Sequence, residues 1–281
     1  MNSIAVITGT THGIGLVTSR ELAKAGFTVV MLCRDLDAAA RVRGDILALV
    51  PQAQIHCVRC DLASLASVRE SAAAVRRDFG GIKLLINNAG IVSTWHRRSA
   101  DGFELTFATN HLGPFLLTQL LLDRLTEDGR IINLASRAHY KSKRLDLTTV
   151  DDPKARYSAT VAYAHSKLAN VMYTFALARR LAGTSRVTVN CLHPGVVASN
   201  LLPPWLRLVK PLLSPNIIDV ERGARTTLYL ALSSEVAGVS GRYFDEHQKE
   251  QQALSIANDV SLQEALWEAS ERWVQRRLTD H

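Results

Sequence analysis

Only four of the 281 residues are cysteines, and they sit at Cys33, Cys57, Cys60 and Cys191, too few for a disulfide framework in a chain of this length. Cys57-Val58-Arg59-Cys60 has the spacing of a zinc or redox motif, but it falls in a stretch that reads as a strand. Residues three apart on a strand point to opposite faces, and a structural zinc site needs two further ligands. The thiols are therefore expected to be packing residues. His111, His139, His165 and His193 also lack metal-ligand spacing, so no metal is expected. No run of about 20 apolar residues occurs, which predicts no integral membrane segment. The first strand pattern begins too close to Met1 for a signal peptide, so a cytoplasmic protein is expected. Acidic residues are outnumbered 26 to 33 by Lys and Arg, for a formal charge of +7. The excess is scattered over pairs such as Arg76-Arg77, Arg97-Arg98, Arg179-Arg180 and Arg276-Arg277, without the continuous block that nucleic acid would demand. Linkers, repeats and low-complexity stretches are missing too, so residues 1–281 are read as one domain.

What is present is a 47% hydrophobic chain in which strand and helix patterns alternate. That alternation predicts an α/β fold with a parallel sheet covered on both faces. Strands are expected at 4–8, 27–32, 54–60, 83–86, 130–135, 187–192 and 242–244, about seven in all, with a final helix over 260–278.

The first of these strands runs straight into Thr8-Gly9-Thr10-Thr11-His12-Gly13-Ile14-Gly15. Beyond it, Leu16, Val17, Leu22 and Ala23 recur at helical intervals, and Gly26 is placed to end the helix. Strand, glycine loop and helix make a phosphate cradle: glycine permits close approach of a pyrophosphate, and the unpaired amides at the helix start attract its charge. Much later comes Tyr163-Ala164-His165-Ser166-Lys167, which puts a phenol and an ammonium four apart on one helical face. The positive charge is expected to lower the pKa of Tyr163 and make it a proton donor and acceptor near neutral pH.

The spacing of Gly9, Gly13 and Gly15 differs from the common Gly-x-Gly-x-x-Gly fingerprint and resembles the Thr-Gly-x-x-x-Gly-Ile-Gly loop of the short-chain dehydrogenase/reductase family. Asn87-Asn88-Ala89-Gly90, Asn110, Ser136, Tyr163 with Lys167, and Pro194-Gly195 follow in that family's order. The resemblance spans about Ser3 to Gly241 and is nearest the retinol dehydrogenase-like branch. Cys33-Arg34-Asp35, Thr109-Asn110-His111-Leu112-Gly113, Ser136-x-Ala138-His139 and His193-Pro194-Gly195-Val196-Val197 carry it. It implies a single-domain, Rossmann-type doubly wound sheet and an oxidoreductase that transfers hydride between a nicotinamide cofactor and a carbonyl or alcohol. By the same resemblance the catalytic residues are Asn110, Ser136, Tyr163 and Lys167. Tyr163 exchanges the proton and Ser136 orients the reacting oxygen. Lys167 holds the ribose and keeps Tyr163 acidic, and Asn110 positions a water. Cofactor contacts are implied for Gly9, Thr11, His12, Gly13, Ile14, Gly15, Arg34, Asp61, Leu62, Asn88, Ala89, Gly90, Tyr163, Lys167, Pro194, Gly195, Val197 and Ser199, with Asn87 bracing the sheet.

Cofactor choice is written at the end of the second strand. Cys33 stands where family members that prefer NAD carry Asp, and Arg34 follows, whose planar fork suits a phosphate, so NADP(H) is preferred over NAD(H). Asp35 can still take the acidic role by a one-residue shift. Twenty-six residues separate Ser136 from Tyr163, and an apolar, proline-rich stretch follows Asn200. These give candidate substrate lids over 137–160 and 199–218 and suit a small lipophilic carbonyl or alcohol such as a retinal-like or lipid aldehyde, a steroid or a polycyclic ketone. The alternative is a cofactor-binding regulatory protein without useful catalysis. Relatives form homodimers through the helices that here hold Asn110 and Tyr163, unless a C-terminal helix bearing Trp267 and Trp273 covers that surface.

Overall fold

The computed structural model describes residues 3–152, 157–197 and 217–276. β1 (Ile4–Thr8), β2 (Thr28–Cys33), β3 (Ile55–Arg59), β4 (Ile82–Asn87), β5 (Leu125–Leu134) and β6 (Thr188–Leu192) pair in parallel in the order β3-β2-β1-β4-β5-β6. β7 (Val196–Val197) and β8 (Ile217–Ile218) form a small separate pair. β9 (Tyr243–Phe244) joins β6 in parallel, and β10 (Glu250–Gln251) runs antiparallel beside it, so the main sheet has eight strands. About seven strands were expected. The eighth, a polar and exposed pair of residues at the sheet edge, has no apolar pattern to announce it.

Strands buried on both faces need apolar residues without alternation. Thr28-Val29-Val30-Met31-Leu32-Cys33 is buried at all six positions. Ala5, Ile7, Val29 and Met31 face a core shared with α1 (Gly13–Lys24), α2 (Leu36–Leu49) and, through Leu230, a later helix. Val6, Val30 and Leu85 face the other core, with α3 (Leu65–Asp78), α5 (Gly113–Leu121) after the short α4 (Leu105–Phe107), and α6 (Ala159–Leu181). α7 (Val220–Leu232) and α8 (Val260–Arg276) complete the two layers. Cys57 packs in the first core and Cys60 in the second, opposite faces as the strand geometry requires. α8 was expected to reach 278; positions 277 and 278 lie outside the described residues.

Two elements differ from expectation for identifiable reasons. β5 starts at Leu125, five residues early, because Thr126-Glu127-Asp128-Gly129 looks like a turn yet stays in the ladder through a register shift opposite Ile82 and Leu84. Between α4 and α5 the chain makes a π turn over Ala108–Leu112. Pro114 supplies the cause: it has no N–H for the Asn110 carbonyl, and its ring would clash with that carbonyl in an α-helix. The wider turn carries the Gly113 amide back to the Ala108 carbonyl instead.

β1 and β4 are neighbours from which successive strands proceed in opposite directions. This makes the crevice at their carboxyl ends a topological switch point, where ligands bind in open α/β sheets. Among the described residues no helix is long and apolar enough to cross a membrane, and no cluster of His, Cys, Asp or Glu has the arrangement of a metal site.

Candidate active site

The glycine loop leaves β1 at this switch point and is held from below by the loop after β4. The Thr8 hydroxyl accepts the Asn88 and Ala89 amides, each at 3.0 Å, while Asn88 Nδ2 donates to the Thr8 and Gly9 carbonyls at 2.8 and 3.0 Å. Gly9, at φ +70°, lies so near that strand end that an added Cβ would come 2.8 Å from Ala89 Cα. At Gly15 a Cβ would collide with the Gly9 carbonyl and with Asn88 Nδ2. Asn88 and Ala89 thus lie against the loop that the sequence had assigned to the cofactor. Asn87 turns inward, donating to Thr118 Oγ1 at 3.0 Å and Asn133 Oδ1 at 2.8 Å, a brace between strand and helix.

α1 opens at this loop. Its N-cap, His12, makes no side-chain capping bond, and its first turn carries no acidic residue, so the helix does not itself place an anion on the amides of Gly13, Ile14 and Gly15. Thr11 Oγ1 lies 3.1 Å from His12 Nδ1 on the same loop. The cradle fits a pyrophosphate. At the end of β2, Arg34 is exposed, whereas Asp35 Oδ1 accepts the Ala38 amide at 2.9 Å as the N-cap of α2. The carboxylate left open by the sequence is therefore engaged with its own helix. After β3, Asp61 accepts the Ala63 amide at 3.0 Å, and Leu62 is a buried residue against Gly113.

The second half of the site comes from β5, α6 and the π turn. Ser136 follows β5 and caps a 3₁₀ turn over Arg137–Lys141, its hydroxyl accepting the Ala138 amide at 3.1 Å. Tyr163 is half-buried near the start of α6, where the Ser136 hydroxyl favours its ionised form. One turn on, Lys167 Nζ lies 5.7 Å from the centroid of the Tyr163 ring and donates to the Leu134 carbonyl at 2.7 Å. Asn110, fully buried in the π turn, accepts the Ile91 amide at 2.8 Å and donates to the Ile91 carbonyl and to Ser166 Oγ, both at 3.0 Å. Ser166 in turn donates to the Tyr163 carbonyl at 2.8 Å. Pattern reading overlooked Ser166, although its place three residues after Tyr163 puts it on the same helical face.

The halves meet at Gly90. A Cβ there would be 3.3 Å from Lys167 Nζ and 3.5 Å from Asn110 Oδ1, so a side chain at this position would crowd both groups. On the far side, Gly195 takes φ +81° after Pro194, and Val197 is buried against Gly223 of α7. Ser199 and most of the 199–218 segment lie outside the described residues.

One electrostatic expectation is corrected. Burial pushes the Tyr163 phenol up from its ordinary value, with the Ser136 hydrogen bond offsetting part of the rise, rather than Lys167 pulling it down. Lys167 itself is desolvated and drawn down to about 8. Stripping water from both charged forms outweighs what the pair gains from the contact across the ring.

The family model for short chain dehydrogenase matches residues 3–146. The chain belongs to the short-chain dehydrogenase family. This short-chain dehydrogenase is 38% identical to human retinol dehydrogenase 13, over 96% of its own length and 83% of that protein's. It is 40% identical to human retinol dehydrogenase 14, over 95% and 84%. Among solved structures, an uncharacterized protein from Mycobacterium paratuberculosis superposes with a TM-score of 0.80 at 33% identity, covering 97% of this dehydrogenase and 93% of that chain. A blue fluorescent protein from a metagenomic library, solved in complex with NADPH, gives 0.69 at 26% identity, over 86% and 95%.

Proposed function

We propose that this protein is an NADP(H)-dependent oxidoreductase acting on a small lipophilic carbonyl or alcohol. The observation that carries the proposal is the close approach at Gly90, where the loop that holds the glycine cradle comes against the buried Lys167, itself beside Tyr163 and Ser136. A bound nicotinamide dinucleotide supplies or accepts the hydride. The chain does the rest. Tyr163, kept protonated by burial, gives its proton to the carbonyl oxygen as charge develops there. Lys167 stands beside the phenolate so formed. Ser136 has its oxygen engaged by the Ala138 amide, so its own hydrogen is left to donate to the reacting oxygen. Asn110 and Ser166 hold the start of α6 to the loop after β4.

NADP(H) over NAD(H) rests on the exposed Arg34 and on Asp35 being held as a helix cap. The NADPH complex of the metagenomic blue fluorescent protein is consistent with it. A lipophilic substrate rests on the likeness to retinol dehydrogenases 13 and 14. We place the protein in the cytoplasm and take the monomer, rather than a homodimer, as the acting unit. Trp267 of α8 stacks on Tyr173 of α6 at 5.7 Å and meets Phe115 of α5 at 5.3 Å, covering the helices through which a partner would dock. Light scattering at the mass of one chain would support that; two chains would refute it.

The test of function is titration with NADPH and NADH, followed by a panel of lipophilic aldehydes and ketones. NADPH should bind and be oxidised by some member of the panel, and Tyr163→Phe should bind NADPH but turn over at least about a hundredfold more slowly. Binding without oxidation across the panel would favour a regulatory protein, and full activity of the variant would overturn the mechanism.

A further inference from the structure

His139 lies three residues beyond Ser136 in the 3₁₀ turn and is fully buried, yet no step of the proposed reaction uses it. Both of its ring nitrogens are engaged, and each partner allows only one role. Nδ1 is 2.7 Å from the Ser136 carbonyl, which can only accept, so Nδ1 carries a proton. Nε2 is 3.2 Å from the Leu254 amide, which can only donate, so Nε2 must present a lone pair. The ring is a neutral imidazole in a single tautomer fixed by its neighbours.

The contacts around it point the same way. The Ser136 carbonyl also accepts the His139 amide at 3.1 Å, and the Ser136 hydroxyl accepts the Ala138 amide at 3.1 Å. Every polar atom of the serine that can accept is thus tied into the turn that His139 closes. Tyr140, the next residue, donates its hydroxyl to the Gln252 carbonyl at 2.5 Å, so two successive side chains grip the 252–254 segment. The imidazole is walled by Tyr140 at 4.0 Å and by the edge of Tyr243 at 4.9 Å between ring centroids, which keeps water from competing for its two bonds. No other side chain offers a planar ring with a donor at one vertex and an acceptor across from it; an imidazolium would set N–H against N–H at Leu254.

We propose that His139 is a positioning residue that clamps the Ser136 main chain to the Leu254 amide and so aims the Ser136 hydroxyl at the reacting oxygen. The inference rests on reading Ser136 as the residue that hydrogen-bonds that oxygen. It makes the chain beyond β10, remote in sequence, part of the support of the active site.

The test is a double-mutant cycle. His139→Phe keeps the ring and removes both bonds, and it is made in the wild-type and in the Ser136→Ala background, with kcat, KM and the NADPH Kd measured for all four proteins. The single variant should lose about tenfold or more in kcat with NADPH binding within about twofold, and should change kcat less than about twofold once Ser136 is gone. An equal loss in both backgrounds, or an unchanged kcat in the wild-type background, overturns the inference. If His139→Phe does not fold, ¹⁵N spectra of the histidine-labelled wild-type protein decide the matter. The Nδ1–H neutral tautomer is expected for His139 at pH 7, and the Nε2–H tautomer or an imidazolium would overturn the clamp. Failure of the functional reading looks different, since the wild-type chain itself would then leave NADPH unoxidised whichever carbonyl compound is offered.

Discussion

Lys167 Nζ donates to the Leu134 carbonyl at 2.7 Å, which fastens the middle of α6 to the end of β5 two residues before Ser136. The ammonium is held where a strand ends, with burial as the counterweight. Its native pKa of about 8 lies below the ordinary 10.5, so the folded protein releases this proton before the unfolded chain does. Between those two values the unfolded state binds more protons, and stability contributed by this group therefore rises with pH. Relative to Lys167→Met, the wild-type protein should gain up to about 3 kcal/mol across that window. Urea unfolding of both proteins from pH 7.5 to 10 checks it, and parallel profiles would refute it.

His111 gives the opposite limb. It is fully buried beside Asn110, with Nε2 2.9 Å from Ser270 Oγ of α8, and burial draws its pKa down to about 3. The unfolded chain takes up this proton near 6.5 while the folded one resists, so stability is lost as pH falls from 6.5 towards 3. His111→Asn should be less stable at pH 7 but show a shallower acid limb, with the difference between the proteins shrinking as the pH drops. Thermal melts at pH 7, 5.5 and 4.5 would reveal a difference that stays constant if the idea is wrong.

The glycine loop sets a steric prediction. A methyl group at Gly15 would strike the Gly9 carbonyl and Asn88 Nδ2, two groups bonded to each other. Gly15→Ala should therefore weaken NADPH binding by at least about tenfold, since the loop must move where the pyrophosphate approaches. Fluorescence titration reads this directly, and an unchanged Kd would show that the loop has slack.

Arg34 carries the cofactor prediction. Its exposed guanidinium has no hydrogen bond or ion pair among the described residues. Arg34→Ala should cost NADPH about tenfold in affinity and leave NADH within about twofold, because only the former offers a phosphate for a charge-assisted bond. Equal losses for both cofactors would mean that Arg34 stacks on the adenine instead.

These expectations were readable to different depths in the sequence. The glycine spacing, the strand carrying Val29 to Leu32 and the Tyr163–Lys167 pair were legible because each depends on short-range geometry: a tight turn, a doubly buried strand, one helical turn. The helix-capping bond of Asp35 was not, since a carboxylate beside Arg34 has the same letters whether or not it caps α2; the Ala38 amide shows that it does. The direction of the Tyr163 shift was hidden as well, because desolvation depends on what distant segments pile onto the site. His139 was legible only as part of the Ser136-x-Ala138-His139 motif, because its contact with the Leu254 amide comes from 115 positions away.

The π turn before Pro114 has a consequence for how the chain tolerates change in length. A five-residue turn holds one residue more than the α-helical register would, and each residue of an α-helix adds about 100° of rotation. Removing one residue on either side of Asn110 within 108–112 would shift the register by about a quarter-turn and turn Asn110 away from Ile91 or Ser166, even with every surviving side chain unaltered. In this stretch the address of the asparagine is kept by counting residues, so substitutions are a milder insult than a single-codon deletion.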